Sequence, residues 1–471
     1  MIVQEHSAAN YVLVVILMAF VLRLAVPLIA LATTKDKTIF YTSDTMGYLE
    51  PAMNIIATGH YSRDNLPEIF RPPGYPIFLI PSLLLGNPEI ITIAFQIIVS
   101  CLTVFLVYKI ALRLFERTDV AVLSAALYAL EPLSIVYTSL MMTETLFASV
   151  VMLAIYFLVD YLKEAKLKSF CMAGLVLSAA VYIRPVAYFV PLIAVIATLA
   201  TSAVRKELNK KLLIHICVFL FIAMAPIFAW QARNRIEAGY SGFCAATDEA
   251  IFQHGQSLLA KIQGISVTEQ MKRSGWSYWN SPSAYYSQHP EHISLDPATI
   301  LRHRRNEGLR LILDNPWQFL QSHARGTFLM AGLTGLGTWL VLFKVDNPDS
   351  AFRIKLRDPS SLRFISDFFS SDGTVFWGNL FLGLVLLIYW LLAVYAFTFR
   401  KVRGKAGVIL MVLIGVYFLV APGDWAESRY RHPVMPIVCI MAGYGLHTII
   451  ARIRGSGSLL PSEIIQGKPV S

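Results

Sequence analysis

Residues 11–32 read YVLVVILMAFVLRLAVPLIALA, an apolar run that contains one charge, Arg23. A helix needs about 20 apolar residues to cross the hydrocarbon core of a bilayer, and this run is long enough. It is also longer than the apolar core of a cleavable signal peptide, so we expect it to remain as a first membrane span. The stretch therefore predicts a helical membrane protein.

Further apolar stretches follow along the chain. The predicted spans are 11–32, 89–110, 120–138, 143–161, 169–183, 186–203, 212–230, 376–399, 406–421 and 433–451. Apolar residues make up 56% of the 471 positions and charged residues only 15%, whereas soluble domains carry roughly 25% charged residues. The fold class predicted is an all-α polytopic membrane protein with about ten to twelve transmembrane helices.

The basic residues indicate an orientation. Short loops rich in Lys and Arg face the cytoplasm, and with the amino terminus inside, the predicted spans put every basic cluster on that side. These clusters lie at 113–117, 163–168, 205–211, 400–405 and 452–454. The net charge of +10 is then mainly an orientation signal, and no nucleic-acid partner is predicted.

Charged residues at the predicted outer ends of the spans form the strongest functional signal. Ionisable side chains at membrane depth are costly, and they mark functional sites by default. Separate turns of this chain bring acids and bases to one rim of the bundle. The charged residues of these turns are Asp44, Arg71, Glu131, Glu144, Arg184, Glu427, Arg429 and Arg431.

Each of these residues also has a structural interpretation, which the sequence leaves open. Asp44 is suited to capping a helix at 45–58, and Glu144 to capping the fourth span. Arg71, Arg184 and Arg429 are equally suited to anchoring at lipid headgroups. Arg23, inside the first predicted span, is harder to explain in this way, and its structural alternative is a pair with a carboxylate of an outer loop.

The order of the short motifs resembles that of the GT-C glycosyltransferases, in the bacterial branch near glycosyltransferase family 39, the protein O-mannosyltransferases and the aminoarabinose transferases of lipid A. The motifs are Asp44 before a surface helix, Gly59-His-Tyr61, Arg71 before Pro-Pro, a turn from Pro132 to Glu144, Arg184-Pro185 and Glu427-Ser-Arg-Tyr-Arg-His-Pro433. Two departures stand out. Asp44 is followed by Thr45 rather than the Glu of protein mannosyltransferases, and Arg71 replaces the Lys of the aminoarabinose transferases.

The resemblance implies a GT-C-type helical bundle with extracytoplasmic cap loops. It also implies a sugar donor carried on polyprenyl phosphate, an inverting transfer on the outer face, and a catalytic Asp in the first outer loop, here Asp44. The acceptor, a glycolipid, glycan or protein, is not identified. No cofactor and no metal site are predicted, and the expected location is the inner (plasma) membrane, multi-pass, with the active site on the periplasmic side.

The residue chemistry suggests roles for the rim residues. Guanidinium groups bind phosphate through planar, bidentate hydrogen bonds, and an acceptor hydroxyl needs a carboxylate base, for which we select Asp44. Arg71, Arg184, Arg429 and Arg431 are the predicted donor-phosphate ligands. The predicted supporting or substrate-binding residues are Glu144, Tyr48, Tyr75, Glu427 and Tyr430.

The expected domain organisation follows the long polar loops. The predicted units are a catalytic transmembrane module 1–230 with outer loop 33–88, an extracytoplasmic cap 231–375, C-terminal helices 376–455 and a cytoplasmic tail 456–471. Within the cap, the apolar stretch 326–343 breaks the parity of the spans. We expect it to be re-entrant or interfacial, with glycines such as Gly335 allowing a bend; a miscounted span is the alternative.

Two other functions compete with a glycosyltransferase. A lipid-linked sugar flippase or transporter would need charges along a path through the bilayer, whereas most charges here lie at one rim. An O-antigen ligase or polymerase would carry its dominant outer loop late in the chain, whereas this chain has an early one at 33–88.

Overall fold

The computed structural model describes residues 2–275, 285–287, 289–345, 373–425 and 427–455, so the predicted tail 456–471 lies outside the described residues. The first ten helices, in chain order, are α1 (Ile2–Thr34), α2 (Met46–Thr58), α3 (Gly74–Leu84), α4 (Pro88–Phe115), α5 (Thr118–Ala129), α6 (Pro132–Tyr137), α7 (Glu144–Glu164), α8 (Leu167–Ile183), α9 (Val190–Val204) and α10 (Lys210–Ala238). The later helices are α11 (Ala245–Gln263), α12 (Val267–Arg273), α13 (Pro297–Asp314), α14 (Pro316–Gly332), α15 (Leu336–Leu342), α16 (Gly373–Thr398), α17 (Arg400–Arg403), α18 (Ala406–Val420), α19 (Ser428–Arg431) and α20 (Met435–Ile453).

Strand structure within the described ranges is limited to β1 (Ser62–Arg63) and β2 (Leu66–Pro67), which pair antiparallel. Short 3₁₀ turns cover Lys37–Phe40, Pro185–Phe189, Pro290–His292 and His432–Val434. The all-α class predicted from the apolar runs is therefore confirmed.

Seven helices of the described ranges are long and apolar enough to cross a membrane: α1, α4, α7, α10, α16, α9 with the 3₁₀ turn before it, and α20 with the turn and helix before it. The other predicted spans correspond to the shorter apolar helices α5, α8 and α18. The predicted span 120–138 is divided because the Glu131 carboxylate accepts hydrogen bonds from the Leu133 and Ser134 amides and so starts α6 as a new helix.

The spans pack side by side in the order α10, α8, α7, α4, α5, α20 and α16, with α1 against α4 and α5. Their shared core includes a stack of parallel rings, with centroids 4.0 Å apart between Tyr161 and Phe170 and 4.1 Å apart between Phe170 and Phe219. The outward faces carry large exposed apolar residues; Phe221, for example, is 74% exposed. Such faces require lipid, because an extended apolar surface is unfavourable in water.

Helices α5 and α20 approach closely through small residues. A Cβ at Gly443 would lie 2.1 Å from Ser124 Oγ and 2.7 Å from its Cα. Small residues at a helix interface allow this approach, which compensates for the weak hydrophobic drive between helices in lipid. The approach brings α20, the last helix of the described residues, against the amino-terminal half of the bundle.

The region after α10 forms a cap of α11, α12 and α13. A buried Arg304 holds α13 to α11 through two hydrogen bonds to the Glu249 carboxylate, at 2.9 and 2.6 Å. Ala298 and Leu301 of α13 belong to the same apolar cluster as Ile69 and Phe70. The cap therefore packs directly on the chain segment that precedes Arg71.

The stretch 326–343 is divided between α14 and α15. The break lies at Gly335, which adopts a left-handed conformation with φ 80°, a conformation that costs glycine little. Beyond α15, the Lys344 ammonium pairs with Asp36, in the loop after α1. The distal end of the stretch thus contacts the predicted outer loop 33–88, while re-entry into a membrane stays a prediction.

Candidate active site

Asp44 lies in a tight turn directly before α2. The buried Thr45 hydroxyl fixes this turn, because it accepts from the Thr42 amide at 2.8 Å and donates to the Met141 carbonyl at 3.2 Å. The surface helix predicted at 45–58 is present as α2. Along this helix, Met46 is 52% exposed whereas Leu49 is buried.

The Asp44 carboxylate binds two arginines that are remote in sequence. Its Oδ1 accepts from Arg71 Nη2 at 2.7 Å, and its Oδ2 accepts from Arg429 Nη1 at 2.9 Å. With both oxygens bound to guanidiniums, Asp44 serves as an ion-pair partner here rather than as the predicted cap of α2. Burial acts to raise the pKa of Asp44, but the guanidiniums of Arg71 and Arg429 outweigh it and lower that pKa to about 2.

Tyr48 supports Arg71 from one helical turn after Asp44. Arg71 Nη1 donates to the Tyr48 hydroxyl at 2.9 Å, and the guanidinium lies 4.7 Å from the centroid of the Tyr48 ring. Tyr75 packs edge-on against Tyr48 at 5.1 Å, is fully buried, and donates its hydroxyl hydrogen to Gln96 at 2.8 Å. Tyr75 therefore supports the site from behind Tyr48.

The backbone before Arg71 is fixed by residues that the sequence analysis did not select. Glu68 Oε1 accepts from the Phe70 and Arg71 amides at 2.5 and 2.9 Å. Arg233, near the end of α10, donates to the Glu68 carbonyl at 2.8 Å and to the Tyr61 carbonyl at 2.9 Å. Glu68 could have been identified from the sequence as a supporting residue, because it is a carboxylate three residues before Arg71 of the Arg-Pro-Pro turn. Arg233 could not have been identified in this way, because nothing in the sequence relates the end of α10 to this loop.

Arg429 reaches Asp44 from α19, at the other end of the chain. Its Nε lies 2.8 Å from Glu427 Oε2, and its Nη2 donates to the Tyr430 hydroxyl at 2.9 Å. The Tyr430 ring lies 4.9 Å from the Arg429 guanidinium. Arg429 is thus oriented by its immediate neighbours while it binds Asp44.

Arg184 and Glu144 form the second ion pair of the site. Arg184 Nη1 donates to Glu144 Oε1 at 2.7 Å, and the Glu144 side chain is 1% exposed. The Arg184 guanidinium also lies 5.6 Å from the Tyr430 ring, which therefore contacts both Arg184 and Arg429. These contacts connect all the predicted site residues except Arg431.

Arg431 does not join this cluster, and its predicted role as a phosphate ligand is contradicted by its contacts. Its side chain is 1% exposed, and Nη1 donates to the Met330 carbonyl at 2.8 Å and the Leu333 carbonyl at 2.6 Å. A cation is favourable at the C-terminal end of a helix, because the last carbonyls lack helical partners. Arg431 therefore stabilises the end of α14.

Arg23 has an equivalent structural role at the end of α5. The structural alternative, a pair with an outer-loop carboxylate, is not formed among the residues that the structure describes. Its guanidinium instead donates to the Ala129 carbonyl at 2.9 Å and to the hydroxyls of Ser100 at 2.7 Å and Ser134 at 2.9 Å. This fully buried charge joins α1, α4 and the α5–α6 turn.

The chemistry of the cluster suits an anionic ligand. Three guanidiniums, those of Arg71, Arg184 and Arg429, lie close together and are each already paired with a carboxylate. A phosphate would find planar hydrogen-bond donors there. Because the acids of the cluster are bound by guanidiniums, the arrangement favours anion binding over metal binding.

Comparisons with known proteins agree with this fold. Residues 71–230 match the family model of the dolichyl-phosphate-mannose-protein mannosyltransferases. The apo crystal structure of an oligosaccharyltransferase from Archaeoglobus fulgidus aligns with 96% of this chain and 51% of its own, at a TM-score of 0.55 and 12% identity. The oligosaccharyltransferase AglB of that organism, in complex with an inhibitory peptide and a dolichol-phosphate, aligns with 99% of this chain and 53% of its own, again at 0.55 and 12%.

These similarities identify the fold as that of the GT-C glycosyltransferases, and the predicted resemblance is confirmed. Apo ArnT from Cupriavidus metallidurans also aligns, with 93% of this chain and 78% of its own at 15% identity, but with a TM-score of only 0.35. The chain spans about half the length of the archaeal oligosaccharyltransferases. A search of curated proteins gives no significant match.

Proposed function

We propose that this protein transfers a sugar from a polyprenyl-phosphate donor to an acceptor hydroxyl on the extracytoplasmic face of the membrane. The observation that carries the proposal is the Asp44 carboxylate held between Arg71 and Arg429. The GT-C fold and the mannosyltransferase family match support a glycosyltransferase. A relative solved with a dolichol-phosphate and a peptide supports a lipid-linked donor. The acceptor is a glycolipid, glycan or protein.

The proposed transfer is a single displacement with inversion. The acceptor oxygen forms a bond to the anomeric carbon on the face opposite the phosphate, and the bond from that carbon to the phosphate oxygen breaks. The electron pair of the broken bond stays on the phosphate, where Arg71, Arg184 and Arg429 stabilise the added charge. Asp44 takes the proton of the acceptor hydroxyl, and the products are the glycoside and polyprenyl phosphate.

Donor binding is also expected to raise the pKa of Asp44. A general base works best when its pKa is near the operating pH, whereas the two guanidiniums hold the pKa of Asp44 at about 2. When the donor phosphate draws these guanidiniums toward itself, the pKa of Asp44 rises. Asp44 therefore becomes an effective base only when a donor is bound, and it stays a weak base in the empty site.

The charges of the described residues disfavour a flippase. The carboxylates and guanidiniums of the cluster come from segments that adjoin one end of the spans, α2, α7, α8 and α19 among them. Arg23, which lies within α1, is fully buried and bonded to helix carbonyls, so it does not line a path for a charged substrate. We propose that the cluster lies on the periplasmic side of the inner membrane, because the basic loops adjoin the opposite ends of the spans.

The proposal is tested with Asp44→Asn in a strain that lacks the native gene. Loss of the base should slow transfer by about 10²–10⁴-fold, so lipid mass spectrometry should detect accumulated prenyl-phosphate sugar, as in the deletion strain. Asp64→Asn is the matched control, since Asp64 lies in the same loop, is 80% exposed and has a φ of 52° that Asn also tolerates. Normal lipids with Asp44→Asn would contradict the proposed base.

A further inference from the structure

Three metal-ligating side chains meet on the cap, outside the candidate active site. They belong to the sequence His289-Pro-Glu-His292, which folds as a 3₁₀ turn over Pro290–His292. His289 Nδ1 lies 3.4 Å from Glu291 Oε1, and His292 Nε2 lies 3.8 Å from the same oxygen. The three ligand atoms all lie within 4.8 Å of one another. No metal site is predicted from the sequence, in which no cluster of metal ligands stands out.

Two of the three separations between these ligand atoms are close to those found around a tetrahedral metal ion. Bonds of about 2.0–2.2 Å from zinc to imidazole nitrogen and carboxylate oxygen place neighbouring ligand atoms about 3.3–3.5 Å apart. The separation between His289 and Glu291 already has this value, and the separation between His292 and Glu291 exceeds it by a few tenths of an ångström. Two imidazoles and one carboxylate also form a ligand set that zinc uses in proteins.

The turn is already ordered without the ion. Pro290 has a fixed φ, the His289 amide donates to the Tyr285 carbonyl at 2.9 Å, and the His292 amide donates to the His289 carbonyl at 3.0 Å. A site that is ordered in advance loses less conformational entropy on binding. The cost of assembling the three ligands is therefore small.

Tyr285 supports His292 from behind. Its hydroxyl lies 2.7 Å from His292 Nδ1, its side chain is 2% exposed, and the Arg304 guanidinium lies 5.1 Å from its ring. If His292 binds a metal through Nε2, its Nδ1–H donates to the tyrosine oxygen. Such a second hydrogen bond fixes the tautomer and the ring orientation of a metal-bound histidine.

We propose that His289, Glu291 and His292 form a binding site for a zinc-class divalent metal ion in the cap. The fourth coordination position is left for water or for a donor atom of a bound molecule. Tyr285 packs with Ile300 of α13, and the next residue, Leu301, packs in the cluster that contains Ile69 and Phe70. A bound ion would therefore stiffen the part of the cap that supports the Arg71 turn. It takes no part in the proposed transfer.

The test uses the full-length protein in detergent, with any affinity tag removed and metals stripped by a chelator. Zinc is titrated by calorimetry and bound zinc is counted by elemental analysis. We expect one equivalent for the wild type and its loss in His289→Ala/His292→Ala. We expect Tyr285→Phe to weaken binding by about 10-fold. His60→Ala is the control, because His60 is an exposed histidine of another loop.

Hydrogen exchange provides a second measurement. Zinc should slow amide exchange in residues 285–295 of the wild type but not of the double variant. Retention of the zinc equivalent by the double variant, or absence of zinc binding by a monodisperse wild-type protein, would overturn the proposal. The double variant should stay folded, since His289 and His292 are only partly buried; elution as a single peak checks this.

Discussion

The Asp44 carboxylate has a structural role in ion pairs, and this role opposes its proposed role as a base. Both of its oxygens are bound by guanidiniums, so Asp44 connects the turn before α2 to the Arg71 loop and to α19. The same ion pairs keep the pKa of Asp44 at about 2, which makes it a weak base in the resting protein. Because the folded-state pKa is lowered, these ion pairs contribute fully above about pH 4 and are lost only as the pH falls toward 2.

The shared guanidiniums lead to a prediction that simple loss of a catalytic base would not give. Asp44→Asn should bind undecaprenyl phosphate more tightly than the wild type, by about 10-fold, because the phosphate no longer competes with a carboxylate for Arg71 and Arg429. Native mass spectrometry of the detergent-solubilised protein measures this binding. Asp64→Asn again serves as the control. Equal or weaker binding by Asp44→Asn would show that Asp44 and the phosphate do not compete.

At the scale of elements, the site depends on how closely α3 approaches the end of α8. A Cβ at Gly74 would lie 2.6 Å from the Tyr182 carbonyl oxygen, so a larger residue would separate the two elements. This approach brings the Arg71 turn beside the Arg184 turn. The end of α10 completes the arrangement, since Arg233 binds the backbone on both sides of the β1–β2 hairpin.

Arg233→Ala is therefore expected to impair transfer although Arg233 does not touch Asp44. Loss of its two hydrogen bonds should loosen the Arg71 turn and lower kcat by about 10–100-fold, since misplacement of a binding group by about 1 Å has effects of this size. Transfer kinetics with purified donor lipid measure the change. Arg235→Ala, an exposed arginine of the same helix, is the matched control. If both variants behave alike, Arg233 does not position the turn.

At the scale of the whole molecule, a second polar cluster joins the cap to the membrane bundle. Asp424, in the turn between α18 and α19, accepts from Lys261 at 2.6 Å and from Ser257 at 2.5 Å, both of α11. Burial acts to raise the pKa of Asp424, but His254 and Lys261 outweigh it and hold that pKa well below its usual value. The contact thus stays ionised throughout the neutral range, and it joins α11 to the turn that leads to Arg429.

Asp424→Asn should weaken the attachment of the cap. Removal of one charged partner of these hydrogen bonds is expected to cost about 1.5–3 kcal/mol, which should appear as faster amide exchange in α11 and a lower thermal midpoint. Asp314→Asn is the control, because Asp314 is 62% exposed and pairs only with Arg310 of its own helix in the described structure. Unchanged exchange in α11 would contradict a docking role for Asp424.

The sequence by itself determined the membrane class, the positions of the apolar helices and the set of charged residues at one rim. These follow from local rules, because span length, loop charge and helix-breaking turns act within a few residues. The motif order also predicted the GT-C fold and indicated Asp44 as a catalytic residue, whereas the chemistry of guanidinium groups indicated Arg71, Arg184, Arg429 and Arg431 as phosphate ligands.

Only the tertiary structure determined which charged residues contact one another. Arg429 binds Asp44 whereas Arg431 holds the end of α14, although both lie in the same motif. Residues two apart on a helical turn point to opposite sides, so the packing of remote helices on each side decides their roles. The same holds for Arg23 and Arg233, because their partners are set by helix packing rather than by spacing in the chain.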